Sequence, residues 1–123
     1  MPGNEKEIAK FLVLNKGKIS LEKLVQVTSE NVAKIFSIYP TRGVIQIGSD
    51  ADLVVVDLNL SKKVDVEKMY SKARENTPYK GWILKGWQVM TIVKGEIVMN
   101  DGEVLGKAGF GEFVSPMKKW GAT

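Results

Sequence analysis

Asp50 and Asp52 form a pair of carboxylates whose spacing could support chemistry. Two nearby carboxylates can act as general acid and base, or together they can hold a metal ion. The sequence does not favour either role, because no histidine accompanies the pair as a base or as a further ligand. The alternative is structural: both side chains satisfy backbone N–H groups at the entry to a strand, after a tight turn that Gly48 permits. The sequence favours this structural role.

The composition excludes several kinds of active site. The 123 residues contain no cysteine, so disulfides, thiolate metal sites and a cysteine nucleophile are excluded. They also contain no histidine, which is the usual base, proton shuttle and zinc ligand near neutral pH. The sequence therefore predicts that this chain by itself does not build a zinc hydrolase site.

The net charge of +4 is a mild basic bias, with lysines and arginines spread along the chain. Only Lys118, Lys119 and Trp120 combine adjacent cations with an aromatic residue, and such a short group is typical of a solvated tail. Nucleic-acid binding is therefore the weakest of three functional hypotheses. No run approaches the roughly 18 apolar residues of a membrane span, and the N-terminus lacks the apolar region of a signal peptide. The sequence predicts a cytoplasmic protein that binds neither nucleic acid nor membranes.

Three short helices are predicted in the first forty residues. Asn4 begins the first, Ser20 caps the second, Thr28 or Ser29 caps the third, and Pro40 closes it. Each helix carries apolar residues at helical spacing, which favours a surface that faces a core. These residues are Ile8, Phe11 and Leu12, then Leu21, Leu24 and Val25, then Val32, Ile35, Phe36 and Tyr39.

After Pro40 the pattern changes to short apolar runs that predict strands. A polar interval with a short helix over 66–72 separates the early runs from the late ones. The turns Lys94-Gly95 and Asp101-Gly102 predict hairpins, so this half is expected to be an antiparallel meander. The predicted strands are 44–47, 53–56, 83–84, 89–93 and 97–99.

The predicted elements form an incomplete unit. Helices followed by strands indicate an α+β arrangement, or pieces of two domains. The unbroken apolar run Leu53–Val56 is typical of a strand covered on both faces, yet the sequence offers no second sheet to cover it. The unit is therefore expected to be completed by another chain segment or by self-association.

Two long segments resemble cyclic amidohydrolases. The first runs from Leu24 to Phe36 and on through Tyr39-Pro40 to the stretch Gly48-Ser-Asp-Ala-Asp-Leu-Val-Val-Val-Asp57. It is similar to the region in metal-dependent amidohydrolases that leaves the last barrel helix and enters a small β-sandwich. The motif is specific for the superfamily, but it is structural and says little about the substrate. Near the N-terminus, Pro2-Gly3-Asn4-Glu5 resembles the Pro-Gly-x-Glu that opens the last barrel helix.

The second segment resembles a smaller group of enzymes within this superfamily. It comprises Glu75-Asn-Thr-Pro-Tyr-Lys-Gly-Trp82, Lys85-Gly-Trp87 and Thr91–Val98, and it is similar to the tail of dihydroorotases, allantoinases and dihydropyrimidinases. Gly106–Gly111 resembles their glycine-rich closing segment. The chain is identified as resembling the C-terminal segment of this family, and dihydroorotases most of all.

This resemblance implies a fold and a chemistry. Residues 1–42 would be the last helices of a TIM-type barrel, residues 43–114 the C-terminal part of an antiparallel β-sandwich, and residues 115–123 a tail. The whole enzyme would hold one or two zinc ions at the mouth of the barrel, through histidines, a carboxylated lysine and an aspartate. In a dihydroorotase these groups interconvert dihydroorotate and carbamoyl aspartate in pyrimidine biosynthesis. All of them would precede Met1. The resemblance therefore implies that no residue of this chain is catalytic, binds substrate or ligates a metal, and that this chain by itself binds no cofactor.

The leading hypothesis is therefore a scaffold segment of a zinc-dependent cyclic amidohydrolase, present here as a truncated product, a proteolytic remnant or a split-gene piece. The second hypothesis is a non-catalytic assembly module that self-associates or pairs with a separate catalytic barrel subunit. Whether this chain counts as an enzyme stays undecided on the sequence, because the family is one of hydrolases while the chain alone lacks the metal site.

Overall fold

The computed structural model describes residues 19–70, 72 and 74–116. The predicted helix that begins at Asn4, the Pro2–Glu5 match and the Lys118–Trp120 group lie outside these ranges. Within the described part, a short helical segment precedes one antiparallel sheet, in agreement with the predicted α+β order.

The helical segment is continuous and contains three parts: α1 (Leu21–Val25), a π-helical turn (Gln26–Glu30) and α2 (Asn31–Ile35). Ser20 caps α1 as predicted, because its side chain accepts a 3.1 Å hydrogen bond from the N–H of Lys23. In the part of the chain that the structure describes, no helix is long and apolar enough to span a membrane.

Two predictions about this segment are wrong. Thr28 and Ser29 do not cap a separate helix, since the backbone stays helical through them and Thr28 donates its hydroxyl to the Leu24 carbonyl at 2.7 Å. The helix ends at Ile35, before Pro40, and Ser37 then adopts a left-handed φ of 58°.

The apolar stripes of this segment are only partly buried. Leu24 and Ala33 are buried, whereas several other stripe residues are largely exposed: Leu21, Val25, Ile35 and Phe36. The predicted core-facing surface is thus wrong for these four within the described residues. The reason is that the described sheet does not pack broadly against the helical segment.

Residues 44–47 form a loop, so the predicted strand there is wrong. Gly48 has a left-handed φ of 94°, and the N–H of Ser49 bonds to the carbonyl of Gln46 at 3.2 Å. Ile45 and Ile47 are largely exposed to solvent, at 85% and 103%. Local turn bonds therefore replace the strand ladder that the apolar run suggested.

The sheet has four strands in the order β1-β2-β3-β4, and every neighbouring pair is antiparallel. The predicted meander is confirmed, with longer strands than the apolar runs alone suggested. Short 3₁₀ turns at Val66–Lys68 and Arg74–Asn76 take the place of the helix predicted over 66–72. The strands are β1 (Leu53–Lys63), β2 (Ile83–Val93), β3 (Glu96–Asn100) and β4 (Glu103–Val104).

Both predicted hairpin turns are present. Lys94 and Gly95 have φ values of 50° and 79°, and Asp101 and Gly102 have 49° and 82°. Two consecutive positive φ values are what a type I′ turn requires, and this turn matches the twist of the strands on either side.

The best-packed part of the sheet lies at the far end of the β1–β2 ribbon. Leu84 is 1% exposed and is buried with Val64, while Met69, Tyr79 and Trp87 pack against the pair. Tyr79 also meets Trp82 edge to face, with ring centroids 5.2 Å apart. The segment 77–82 therefore folds an aromatic turn onto the sheet.

At its other end the sheet presents apolar side chains on both faces. Strand register places Leu53, Val55, Met90, Ile92 and Ile97 on one face, which we call the first apolar face. The opposite face carries Val54, Thr91, Met99 and Val104. Within the described ranges there is one sheet and no second sheet covers either face, so the β-sandwich stays a prediction. The division into residues 1–42, 43–114 and 115–123 stays a prediction.

Candidate functional site

The predicted carboxylate pair meets an arginine. Nη2 of Arg42 lies 2.9 Å from Oδ2 of Asp50, and its Nε donates a hydrogen bond to Oδ2 of Asp52. The side chain of Arg42 is 18% exposed, so both ion pairs are partly sheltered from water. One guanidinium thus holds the two carboxylates, and its fork of donors suits this arrangement.

Two further residues extend the group. The other oxygen of Asp52, Oδ1, accepts a 2.9 Å hydrogen bond from the backbone N–H of Lys94 in the β2–β3 turn. The ammonium of Lys94 pairs with Glu112, which lies in the stretch of chain that follows β4. We call these five residues the Arg42 clamp: Arg42, Asp50, Asp52, Lys94 and Glu112. The clamp joins the loop after α2, the sheet and the stretch of chain that follows β4.

Backbone bonds position the clamp. The N–H of Asp50 donates to the carbonyl of Thr41 at 2.8 Å, which brings the two ends of the loop together. Ser49 adds a hydroxyl bond to the carbonyl of Pro40 at 2.6 Å. The N–H of Gly95 donates to the carbonyl of Ala51 at 3.0 Å, which fixes the start of β1 against the β2–β3 turn. The loop and the turn therefore meet where the two carboxylates lie.

The electrostatics of the clamp favour ionised carboxylates. Partial burial acts to raise the pKa of Asp52, but the hydrogen bonds from Arg42 and from the Lys94 N–H, with both positive charges, outweigh it. The pKa of Asp52 is therefore lowered from its ordinary value. The Lys94 ammonium likewise lowers the pKa of Glu112, through a hydrogen bond and its charge.

This geometry supports the structural role of the aspartate pair. A carboxylate with a lowered pKa and two donors already bound is a poor general acid or base near neutral pH. Asp52 satisfies a backbone N–H as the sequence predicted, whereas the side chain of Asp50 binds Arg42 instead. Among the residues that the structure describes, no group of three or more potential ligands is placed to hold a metal ion. The described residues therefore do not fit a zinc site.

The sequence analysis did not single out Arg42, Lys94 or Glu112. The available signal for Arg42 was weak: a lone arginine ten residues before Asp52, in a loop that was partly taken for a strand. Lys94 was assigned to a hairpin turn, and nothing in a single sequence pairs it with Asp52, 42 positions earlier. The prediction that no residue of this chain is catalytic, binds substrate or ligates metal stays a prediction.

Two shallow depressions lie on the described surface. One, of about 170 Å³, is bordered by Ile97, Leu105 and Phe110, and the other, of about 120 Å³, lies beside Val44 and Leu53. Ligand pockets usually measure about 300 Å³ or more and gather several polar groups. Both depressions are smaller than this, so neither is a candidate ligand pocket.

Acid should weaken the clamp, and this defines a first prediction. Because the folded-state pKa of Asp52 lies below its ordinary 3.8, the unfolded chain binds more protons at acid pH. The stabilisation is therefore complete above the unfolded-state pKa and is lost as the pH falls through the folded-state pKa. We expect Asp52→Asn to lower the free energy of unfolding by about 1–2 kcal/mol at pH 7 and to flatten its decrease below pH 4.

Denaturant titrations at fixed protein concentration, from pH 7 to pH 2.5, measure this effect. Asp57→Asn is the matched control, since the asparagine oxygen can still accept the 2.9 Å bond from the Asn59 N–H. Equal acid sensitivity in the Asp52→Asn variant and the unsubstituted chain would show that the clamp does not supply the acid-dependent stability.

Comparisons of this sequence with known families and proteins agree on one family. The sequence model of the Amidohydrolase family matches residues 6–98. The chain is 46% identical over 102 residues to the L-hydantoinase of Paenarthrobacter aurescens, which covers 83% of this chain and 22% of that protein. It is 44% identical over 108 residues to the dihydroorotase of Pyrococcus horikoshii, which covers 87% of this chain and 25% of that protein.

The fold agrees with the sequence match. The structure of an L-hydantoinase (dihydropyrimidinase) from Arthrobacter aurescens superposes with a TM-score of 0.82 at 42% identity, covering 92% of this chain and 25% of that chain. The chain thus spans about a quarter of the length of the relatives it matches. The predicted resemblance to the C-terminal segment of cyclic amidohydrolases is confirmed, with hydantoinases as well as dihydroorotases among the relatives.

Proposed function

Since this chain belongs to the amidohydrolase family, we propose that it is the C-terminal scaffold segment of a zinc-dependent enzyme that hydrolyses a cyclic amide. The catalytic residues of that enzyme lie in polypeptide that this chain does not contain. The observation that carries the proposal is the family match over residues 6–98 together with the 0.82 TM-score to an L-hydantoinase. The absence of histidine and cysteine supports placing the metal site elsewhere.

In this proposal the described residues supply packing and not chemistry. The Arg42 clamp joins the loop after α2, which would lead out of the barrel, to the sheet that would form one layer of the sandwich. Such a joint would fix the orientation of the two parts of the enzyme. Zinc, when bound by the catalytic part, supplies the activated water for ring opening.

Dihydroorotate is the substrate that we propose first, with hydrolysis to carbamoyl aspartate in a cytoplasmic pathway of pyrimidine biosynthesis. The dihydroorotase of Pyrococcus horikoshii, at 44% identity, supports it. Hydantoin rings are the second candidate, supported by the 46% identity to the L-hydantoinase of Paenarthrobacter aurescens. Both substrates present a cyclic amide to the same kind of site.

An activity assay tests this function. We expect the purified 123-residue chain to hydrolyse neither dihydroorotate nor hydantoin, with or without added zinc. The sequence upstream in the source DNA is expected to encode an in-frame or neighbouring barrel with paired histidines. Joined to that barrel, the segment should be part of an enzyme that turns over one of the two rings. Hydrolysis by the isolated chain would overturn the proposed division of roles.

The alternative function is a non-catalytic assembly module that self-associates or pairs with a separate barrel subunit. The exposed apolar side chains support it, because large apolar patches on a soluble domain mark interaction surfaces. On the first apolar face Val55 and Ile97 are each almost half exposed. The two functions differ in whether a catalytic chain is encoded separately.

Self-association is the second prediction. We expect the isolated chain to form dimers or larger species at micromolar concentrations, because burying the first apolar face removes apolar surface from water. The double change Val55→Lys and Ile97→Lys should weaken this association at least tenfold, since both residues lie on that face. The double change Glu67→Lys and Glu75→Lys, outside the strands, adds the same type of side chain as a control.

Sedimentation velocity over a hundredfold concentration range measures the association. A compact monomer at the highest concentration would contradict the prediction. An equal loss of association in the control pair would show that added positive charge alone, and not the apolar face, controls it.

A further inference from the structure

Positive charge is concentrated at one end of the described structure. Residues 62–85, which close the far end of the β1–β2 ribbon, contain seven lysines and arginines and three acidic residues, a net charge of +4. The other described residues, 19–61 and 86–116, contain five basic and nine acidic residues, a net charge of −4. Along the sequence the basic residues are spread out, and the antiparallel pairing brings Lys62 and Lys63 beside Lys85. We call residues 62–85 the basic end.

One face of the basic end combines unpaired lysines with an exposed apolar side chain. Strand register places Lys63 opposite Ile83, and Lys85 follows two positions later on the same strand as Ile83. All three side chains therefore lie on the face away from the buried Leu84, and the two lysines are diagonal neighbours roughly 7–8 Å apart. Ile83 is 72% exposed, and neither lysine forms an ion pair with another described residue.

The acidic residues of the basic end do not neutralise this face. Asp65, Glu67 and Glu75 all lie in the connection between β1 and β2, and not on the strands. The side chain of Asp65 accepts the N–H of Glu67 at 3.1 Å, and Glu75 lies 3.9 Å from Nε of Arg74. The lysine pair of the strands therefore keeps its full positive charge toward solvent.

The chemistry of this face fits an extended anionic surface better than a small ligand. A lysine ammonium is a compact point charge that attracts anions without the fixed geometry of a guanidinium. The two surface depressions lie elsewhere, beside Ile97 and Leu105 or beside Val44 and Leu53. Lysines around an exposed apolar side chain are typical of proteins that lie on anionic membranes, where the ammonium groups meet headgroups and the apolar group enters the acyl boundary.

We propose that the basic end binds an anionic phospholipid surface, with Lys63 and Lys85 at the headgroup phosphates and Ile83 at the boundary of the acyl chains. The net charge of −4 on the other described residues orients the molecule, because an anionic surface repels that part and attracts the basic end. This departs from the expectation that the chain binds no membranes, which rested on the lack of a spanning segment and on the mild net charge. The proposal does not depend on the proposed hydrolase function.

Nucleic acid is a poorer occupant of this face. Single strands are bound largely through aromatic rings that stay open for stacking against bases. The aromatic residues of the neighbouring turn are not arranged in this way, since Tyr79 packs against Leu84 and meets Trp82 edge to face at 5.2 Å. Both rings thus lie toward the buried side of the sheet and not beside the lysine pair.

Vesicle binding tests the proposal. The probe is large vesicles of phosphatidylcholine and phosphatidylserine at about 3:1, compared with vesicles of phosphatidylcholine alone, each mixed with the full 123-residue chain. At about 0.05 M salt we expect at least tenfold tighter binding to the anionic vesicles. Raising the salt to about 0.5 M should weaken that binding at least tenfold, because salt screens exposed charges.

Matched charge reversals locate the binding face. We expect the double change Lys63→Glu and Lys85→Glu to weaken binding to the anionic vesicles at least tenfold. The control is Lys23→Glu with Lys107→Glu, which changes the net charge equally at two exposed lysines outside the basic end and should weaken binding less than threefold. Equal losses in the two double variants would overturn the proposal, since net charge alone would then control binding.

A second pair of variants keeps all charges. Ile83→Ser should weaken binding to the anionic vesicles at least threefold, whereas Ile45→Ser, at a residue that is 85% exposed outside the basic end, should leave it unchanged. Near-UV circular dichroism checks that each variant keeps its fold. If the charge-reversed chain is unfolded, the serine pair decides, and equal binding by these two variants would refute the proposed face.

Other occupants give different results. Equally tight binding to neutral and anionic vesicles would assign the interaction to the exposed apolar side chains of the sheet and overturn the role of the lysines. Tighter binding to a single-stranded oligonucleotide or to polyglutamate than to the anionic vesicles would assign the basic end to nucleic acid or to an acidic protein, and would overturn the lipid surface. Ring hydrolysis is measured separately, so failure of the proposed function does not affect this test.

Discussion

Replacing Gly43 by alanine is expected to lower the free energy of unfolding by about 3–4 kcal/mol. A Cβ atom at this position would lie 2.5 Å from the Cβ of Ala33 and 3.1 Å from the carbonyl oxygen of Ser29. Both neighbours belong to the helical segment, and Ala33 is buried, so neither can move without displacing the helix. The φ of 87° at Gly43 adds the strain of a left-handed conformation.

Gly48→Ala separates the two causes. Gly48 has a similar φ of 94°, but no atom would lie within 4 Å of an added Cβ. This variant should therefore lose only about 1–2 kcal/mol, from backbone strain alone. Chemical denaturation at a fixed protein concentration measures both changes. Equal losses would show that the loop does not pack on α2 as closely as the structure indicates.

Leu84→Ala is expected to cost about 3 kcal/mol of unfolding free energy. Leu84 is 1% exposed, and its side chain fills the space among Val64, Met69, Tyr79 and Trp87. Truncation would leave a cavity that these larger side chains fill only in part. The hydrogen bond from Nε1 of Trp87 to the carbonyl of Leu84 uses the backbone and should survive the change.

Ile83→Ala is the matched control for this cavity. Ile83 precedes Leu84 on β2, but its side chain is 72% exposed and points to the opposite face. Its truncation should cost less than about 1 kcal/mol, most of it from reduced strand propensity. A loss as large as that of Leu84→Ala would mean that the exposed face is covered in solution, for example by self-association. Repeating the measurement at several protein concentrations distinguishes that case.

The features that the sequence predicted correctly are those that depend only on neighbouring residues. Ser20 caps α1, and the glycine turns after Lys94 and Asp101 form hairpins, because each feature needs only a few consecutive side chains or φ angles. Where short-range signals competed, the prediction failed. Thr28 was expected to cap a helix, but its hydroxyl found the Leu24 carbonyl one turn earlier, and the helix continued.

The chemical limits of the chain also followed from the sequence. Lack of histidine and cysteine is a property of composition, and no folding can restore an imidazole or a thiolate. The family resemblance was likewise readable from linear motifs such as Gly48–Asp57 and Glu75–Trp82, and the comparisons confirm it. Composition and motif therefore indicated the family, and the lack of imidazole and thiolate side chains in this chain, before any geometry was known.

The tertiary structure alone decided how the carboxylates are used. Arg42 reaches Asp52 across ten positions and Lys94 reaches it across 42, and no periodic pattern links residues at such separations. The same holds for the close approach of Gly43 to Ala33 and for the place of β1 at an edge of the described sheet. Local sequence fixes turns and caps because their bonds close within a few residues, whereas ion pairs and strand neighbours are selected only when distant parts of the chain pack together.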